Sequence, residues 1–328
     1  MSNKIKDIVV TLVFLFTIIS LFLINIIKKD TDISIAERRK LATMPKLTTK
    51  SLFDGTYFKS FDSYVTDQFV GRDTFRKIKI DIELSTKGEY NNLYMYDDYI
   101  VEEIFPLNTN SINNLTNKIN YIKNTYLNNN SNIYYTIIPD KNYFVNDDNL
   151  KLDYDELKNI MNSNLDIKYI DIFNELSLED YYKTDTHWRE ERLFKVVNKL
   201  SKEMNFNITN NYSFKRISDF NGTYSSRIVR KDIKDEIYIL DNVNDINVYN
   251  YETNGYEKVY DLIKLNSLDK YNVYLSGSVS LLKIESMNTG STKDLIVFRD
   301  SYGSSLIPLM MNGYKSITVV DTRYISPS

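Results

Sequence analysis

The chain has 328 residues, 42% hydrophobic and 26% charged, with a formal net charge of −3; this describes a folded protein without the basic excess of a nucleic-acid binder. It has no cysteine, which rules out thiol catalysis, disulfides and thiolate metal sites. One histidine, His187, excludes a multi-histidine metal site, and the one tryptophan, Trp188, is its neighbour.

The first predicted element is the apolar run Ile8 to Ile27, which carries no charge. It is long enough to cross roughly 30 Å of hydrocarbon as a helix. A cleaved signal peptide fits less well, because the run exceeds an h-region and no small-x-small site follows it. Lys4 and Lys6 before the run balance Lys28 and Lys29 after it, and Arg38, Arg39 and Lys40 argue against an outward body. Flanking charge therefore does not set the orientation.

Residues 31 to about 105 read as a polar and aromatic collar, with a turn at Asp54-Gly55. Phe53, Tyr57, Phe58, Phe61, Tyr64 and Val65 recur at helical spacing, and a second helix is predicted over Arg72–Leu84. From 106 onward the pattern alternates between helices and short apolar strands. Helices are predicted at Ser111–Tyr126, with Ser111 as N-cap, at Tyr154–Met161 and at Arg189–Met204. Strands are predicted at Ile133–Ile138, Tyr169–Phe173, Leu295–Phe298 and Ile317–Val320, and a last helix at Ser304–Met311. Residues 206–290 are less regular and read as a β-rich insertion. This alternation predicts an α/β fold whose mainly parallel sheet is covered on both faces. Such a unit normally adds a helix after its last strand, so a further segment is expected beyond Ser328.

Two segments carry the chemistry. In Asp185-Thr186-His187-Trp188, an acid two residues before a histidine can fold back onto the ring, leaving the other nitrogen free as a base. The same residues could instead cap the helix at Arg189, with Glu190 in support. In Leu295-Ile-Val-Phe-Arg-Asp-Ser-Tyr-Gly303, a strand runs into a tight turn and then a helix. That layout lifts Ser301 above a sheet edge, where backbone N–H groups could stabilise an oxyanion. Ser301 or Ser304 could equally be a helix cap. Ser304 and Ser305 fall within the predicted helix and are weaker nucleophiles.

D-T-H-W at 185–188 followed by a later strand-D-S-Y turn resembles the DHHW protein family and the related alginate O-acetylation proteins of the SGNH-hydrolase-like superfamily. The resemblance extends to A-E-R-R-K-L-A-T-M-P at 36–45, D-Q-F-V-G-R at 67–72, P-D-K at 139–141, D-F-N-G-T-Y at 219–224 and V-V-D-T-R-Y at 319–324. The acid-histidine pair precedes the serine, as in those proteins, and Thr186 replaces the first histidine of the family's name, as in the alginate proteins.

The resemblance implies a three-layer α/β/α domain over 106–328, a collar over 31–105 and an anchor over 1–30, with the body outside the cell membrane. It implies Ser301 as nucleophile, His187 as general base and acid, and Asp185 as its orienting partner. Lys141, Arg323 and Tyr324 would bind substrate or buttress the site, Tyr302 would line it, and Trp188 would be a sugar platform or a core aromatic. Arg299 stands where ordinary SGNH enzymes have glycine, which leaves the N–H groups of Ser301 and Tyr302 as oxyanion donors, with Asn221 or Gly222 as weaker candidates. The implied activity is O-acetylation of a cell-surface polysaccharide, needing no metal or organic cofactor, with a membrane-bound O-acyltransferase as the implied acetyl donor. Glycan acetylesterase and non-catalytic glycan binding are the alternatives.

Overall fold

An uncharged run of this length closes its own backbone hydrogen bonds most simply as a helix. In the computed structural model, which describes residues 3–127, 131–146, 148–208, 212–287 and 289–325, it lies within the helix Asn3–Ile27. Within Lys4–Ile27 an 18-residue window has a mean hydropathy of 2.7, and the helix is long and apolar enough to cross a membrane.

The chain divides into two units, residues 1–87 with 226–229, and residues 88–225 with 230–328. In the first, the predicted collar helices are present as Thr56–Gln68 and Arg72–Lys87. The Asp54-Gly55 turn starts the former: Gly55 has φ +79°, and Asp54 accepts hydrogen bonds from the N–H and hydroxyl of Thr56 at 2.9 and 2.6 Å. The two N-terminal motifs meet here. Arg39 grips Asp67, while Arg72 and Arg76 reach Glu37 at 2.6 and 3.3 Å.

The second unit holds the main sheet, of five strands. Their order is Gly255–Glu257, Ile246–Asn250, Leu281–Ser286, Ser316–Val320, Asp294–Phe298. Only the last pair is parallel; the other three pairings are antiparallel. The expectation of a mainly parallel sheet is therefore corrected to a mixed one. Three of the five strands come from the region read as an insertion, and short connections such as 251–254 can join only antiparallel neighbours. Burial alternates along them, with Val248, Leu282, Ile284, Ile317 and Val319 facing the core.

Other elements are shorter than their apolar runs suggest. The predicted strands at 133–138 and 169–173 reduce to Tyr134–Tyr135 and Lys168–Tyr169, paired in parallel. The helix Thr109–Tyr126 is capped by Asn108, whose side chain accepts from Ser111 N–H, so Ser111 lies inside it. After Trp188 a single turn, Glu190–Arg192, leads into the helix Phe194–Met204. The predicted helix 304–311 is the α-helical turn Gly303–Leu306 continued by the 3₁₀ segment Ile307–Gly313.

Candidate active site

Tyr181 and Trp188 bridge as an antiparallel pair, and Tyr182 N–H donates to the His187 carbonyl at 3.0 Å, so residues 183–186 form a tight loop. Within it Asp185 does not cap the next helix. One of its carboxylate oxygens meets His187 Nδ1 at 2.5 Å, and the other accepts from the N–H and hydroxyl of Thr223 at 2.7 and 2.9 Å. Burial opposes the Asp185 charge, but attraction to His187 and the hydrogen bonds from His187 and Thr223 outweigh it. The carboxyl is held well below the usual carboxylate range. A carboxylate at Nδ1 keeps the ring proton there and leaves Nε2 as an acceptor.

His187 Nε2 lies 2.8 Å from Ser301 Oγ. The turn Asp300-Ser301-Tyr302-Gly303 follows the edge strand Asp294–Phe298. Ser301 Oγ makes no cap bond to the helix and faces His187 instead. Gly303 is required here, because a Cβ would stand 2.8 Å from that of Arg299. The three residues thus form one chain of hydrogen bonds, Asp185–His187–Ser301, with the acid and base buried and the serine half-buried.

The loop is anchored from behind by groups whose roles sequence reading missed. Asp235 accepts from Lys183 N–H, Thr184 N–H and Thr184 Oγ1 at 2.9, 2.8 and 2.6 Å. The Thr184 carbonyl accepts from the N–H groups of Tyr224 and Ser225. A Cβ on Gly222 would sit 2.3 Å from both the Asp185 Cβ and the Thr184 carbonyl oxygen, so the F-N-G-T-Y segment needs glycine to come this close. Tyr271 is the other unforeseen residue. Its ring stacks on the imidazole with centroids 3.8 Å apart and planes at 11°, and its hydroxyl reaches Ser305 Oγ at 2.8 Å and the Ser301 carbonyl at 3.3 Å.

The residues assigned to substrate are mostly committed to structure. Lys141 is 3% exposed; its ammonium donates to the carbonyls of Ile100, Tyr182 and Lys183 at 2.6, 2.8 and 3.3 Å, and burial pushes it down to about 7. This is the buttress, not an open anion site. Trp188 is fully buried, with its indole N–H on the Tyr302 carbonyl and Ser305 Oγ, so it is a core aromatic without a free face for a sugar. Tyr302 ties the two turns together through its hydroxyl, 2.8 Å from the Thr186 carbonyl. The Arg323 guanidinium makes two hydrogen bonds to Asp321, which also faces the buried Arg299 at 3.3 Å. Arg323 and Tyr324 are the exposed members of the set, the tyrosine at 54%.

The oxyanion assignment also narrows. Tyr302 N–H donates to Asp300, Gly222 N–H to Thr184 Oγ1, and the Asn221 amide to the Ile233 carbonyl. Of the donors considered, Ser301 N–H is the one with no partner among the described residues.

A family model described as DHHW protein matches residues 37–126. The matched stretch includes the Glu37–Asp67–Arg72 cluster and ends before the residues of the site. No curated protein matches the chain. Among solved structures, a DHHW family protein from Eubacterium siraeum is similar at 18% identity and a TM-score of 0.62, over 73% of this chain and 85% of that one. Bacillus cereus PatB1 with a sulfonyl adduct is similar at 15% identity and a TM-score of 0.55, over 72% and 89%. The resemblance to DHHW proteins read from the sequence therefore holds: their family model matches the chain's N-terminal region, and a solved member shares its fold.

Proposed function

We propose that this chain is a membrane-anchored serine O-acetyltransferase that modifies a cell-surface polysaccharide, working through Ser301, His187 and Asp185 on an SGNH-hydrolase-like α/β/α domain. The observation that carries the reading is the continuous relay, 2.5 Å from Asp185 to His187 and 2.8 Å from His187 to Ser301. A sulfonyl group is an electrophile that activated nucleophiles capture, and PatB1, of similar fold, is known with a sulfonyl adduct. The outward orientation rests on the family resemblance.

In the first half-reaction Ser301 Oγ attacks the acetyl carbonyl as its proton passes to His187 Nε2. The tetrahedral oxyanion faces Ser301 N–H, and the leaving alcohol takes the proton back from Nε2 as its bond to the acyl carbon breaks. In the second, a sugar hydroxyl gives its proton to Nε2 and attacks the acyl-serine, and Ser301 recovers a proton as it leaves. Asp185 keeps Nδ1 protonated throughout and offsets the imidazolium charge. Neither half-reaction needs a cofactor; a membrane-bound O-acyltransferase would serve as the acetyl donor.

The test supplies an activated acetyl ester with oligosaccharides released from the cell surface. Acetyl esters on sugar, lost in Ser301→Ala, support transfer. Acetate release at the same rate with and without sugar makes the protein an acetylesterase instead, and no turnover of either kind favours glycan binding.

A further inference from the structure

The collar exposes an unusual amount of apolar surface. Phe58 and Val65 on the helix Thr56–Gln68 are 60% and 45% exposed, and Phe75, Ile78 and Ile82 on Arg72–Lys87 are 55%, 50% and 56% exposed. On the second helix these three recur at i, i+3 and i+7, so they form one stripe, with the buried Ile80 off to its side. Phe53, just ahead of the first helix, is 85% exposed. Water-facing surfaces rarely gather so many large apolar side chains in adjacent elements without something to cover them.

The same unit indicates what covers them. The last turn of the apolar helix is tied directly to the connection between the two collar helices. Val70 N–H donates to Asn25 Oδ1 at 2.8 Å, and the Lys28 ammonium donates to the Gln68 carbonyl at 3.2 Å. Gln68 in turn binds the Thr31 backbone through both its amide oxygen and its amide nitrogen, at 3.0 Å each. Val65 and Phe75 each lie five residues from Val70, three helical steps and two in the connection, so at most about 12 Å of chain separates either from it. If Asn3–Ile27 spans a bilayer, these side chains stand at the level of its headgroups.

We infer that the collar is a second, interfacial membrane contact, its exposed stripe seated among lipid headgroups and upper acyl chains beside the anchor. This rests on the reading of Asn3–Ile27 as a membrane span. The occupant is the lipid of the bilayer in which that span sits. Apolar area carries the contact, because Lys77 is paired with Asp81 and both Lys79 and Lys87 with Glu83, which leaves the second helix little free charge to choose a headgroup.

Since the chain has no cysteine, single nitroxide labels report position without background. The full chain, reconstituted in phosphatidylcholine vesicles, is labelled in turn at Leu15→Cys, Phe75→Cys, Ile78→Cys and Lys77→Cys. Collisions with oxygen, which concentrates in lipid, are compared with those of a water-soluble nickel chelate. The inference expects Leu15 deep in lipid, Phe75 and Ile78 at shallow depth with an oxygen-to-nickel ratio several times that of Lys77, and Lys77 in water. Leu15 deep with Phe75 and Ile78 open to nickel overturns the interfacial contact and leaves the anchor standing. Phe75 and Ile78 shielded from both reagents means that protein covers the stripe, and also overturns it. Leu15 open to nickel removes the anchor and the inference together.

Discussion

The loop that carries Asp185 and His187 and the turn that carries Ser301 meet at one hydrogen bond but are held by different forces. The loop is fixed by polar contacts: Asp235 takes three donors from it, Thr223 takes one carboxylate oxygen, and Lys141 gathers the carbonyls that precede it. The serine turn is held mainly by aromatic rings: Tyr302 packs edge-on to Trp188 with centroids 5.5 Å apart and tilts against His187 at 5.0 Å. Trp188 and Tyr271 each add one hydrogen bond to a turn carbonyl. A buried polar network leaves little room for error, because each lost partner strands another group out of water. Aromatic packing loses its contribution more gradually. Substitutions behind the loop should therefore cost more than substitutions around the turn.

The largest expected effect follows from the orienting acid itself. Asp185→Asn preserves shape but no longer enforces the Nδ1 proton, and acylation should slow about 10⁴-fold. Stopped-flow ester release with unchanged near-UV circular dichroism would show that the loss is chemical. Next comes Gly222→Ala, which drives a methyl into the Thr184 carbonyl and the Asp185 side chain. It should destabilise the fold by about 1–3 kcal/mol, read from denaturant midpoints, and slow acylation as well.

Lys141 makes a pH-dependent prediction. Its folded pKa of about 7 lies below the ordinary 10.5, so between those values the unfolded chain binds more protons than the folded one. Stability contributed through this group then rises as the pH climbs from about 7 toward 10.5. Thermal midpoints of wild type and Lys141→Met, compared across that window, should diverge in favour of wild type as pH rises. Parallel curves would show that the ammonium is not depressed. The smallest effect belongs to the aromatic side. Tyr271→Leu removes the stack on His187 and should cost about 0.5–1.5 kcal/mol of activation, a two- to tenfold slowing. Tyr271→Phe keeps the stack and should recover most of that rate. Equal losses in both variants would assign the role to the hydroxyl.

Much of this site was legible in the sequence because its chemistry is local. Asp185 and His187 are two residues apart, and Ser301 follows an apolar strand directly, so short-range patterns pointed to all three. The F-N-G-T-Y segment stood out, although nothing in it revealed that Gly222 makes room for Asp185. Tyr271 could not be found: it is one tyrosine among 27, in a stretch with no motif, and only the tertiary fold lays it on the imidazole. Asp235 is hidden for the same reason. Lys141 and Arg323 are expected to bind substrate or buttress the site, and no local pattern chooses between the two; in the fold one is buried among carbonyls and the other is paired with Asp321. The fold was legible in kind but not in pairing. Alternating strands within 206–290 signal sheet, but periodicity carries no information about which strand each will join.

The proposed reaction requires Ser301 to be an activated nucleophile, and intact-mass spectrometry of the full chain in detergent, after brief exposure to an activated acetyl ester, tests that directly. An added acetyl group on the wild-type protein, absent from Ser301→Ala and from His187→Ala, is the predicted result. An unmodified wild-type chain that also releases no acetate from the ester, while remaining folded, would contradict it.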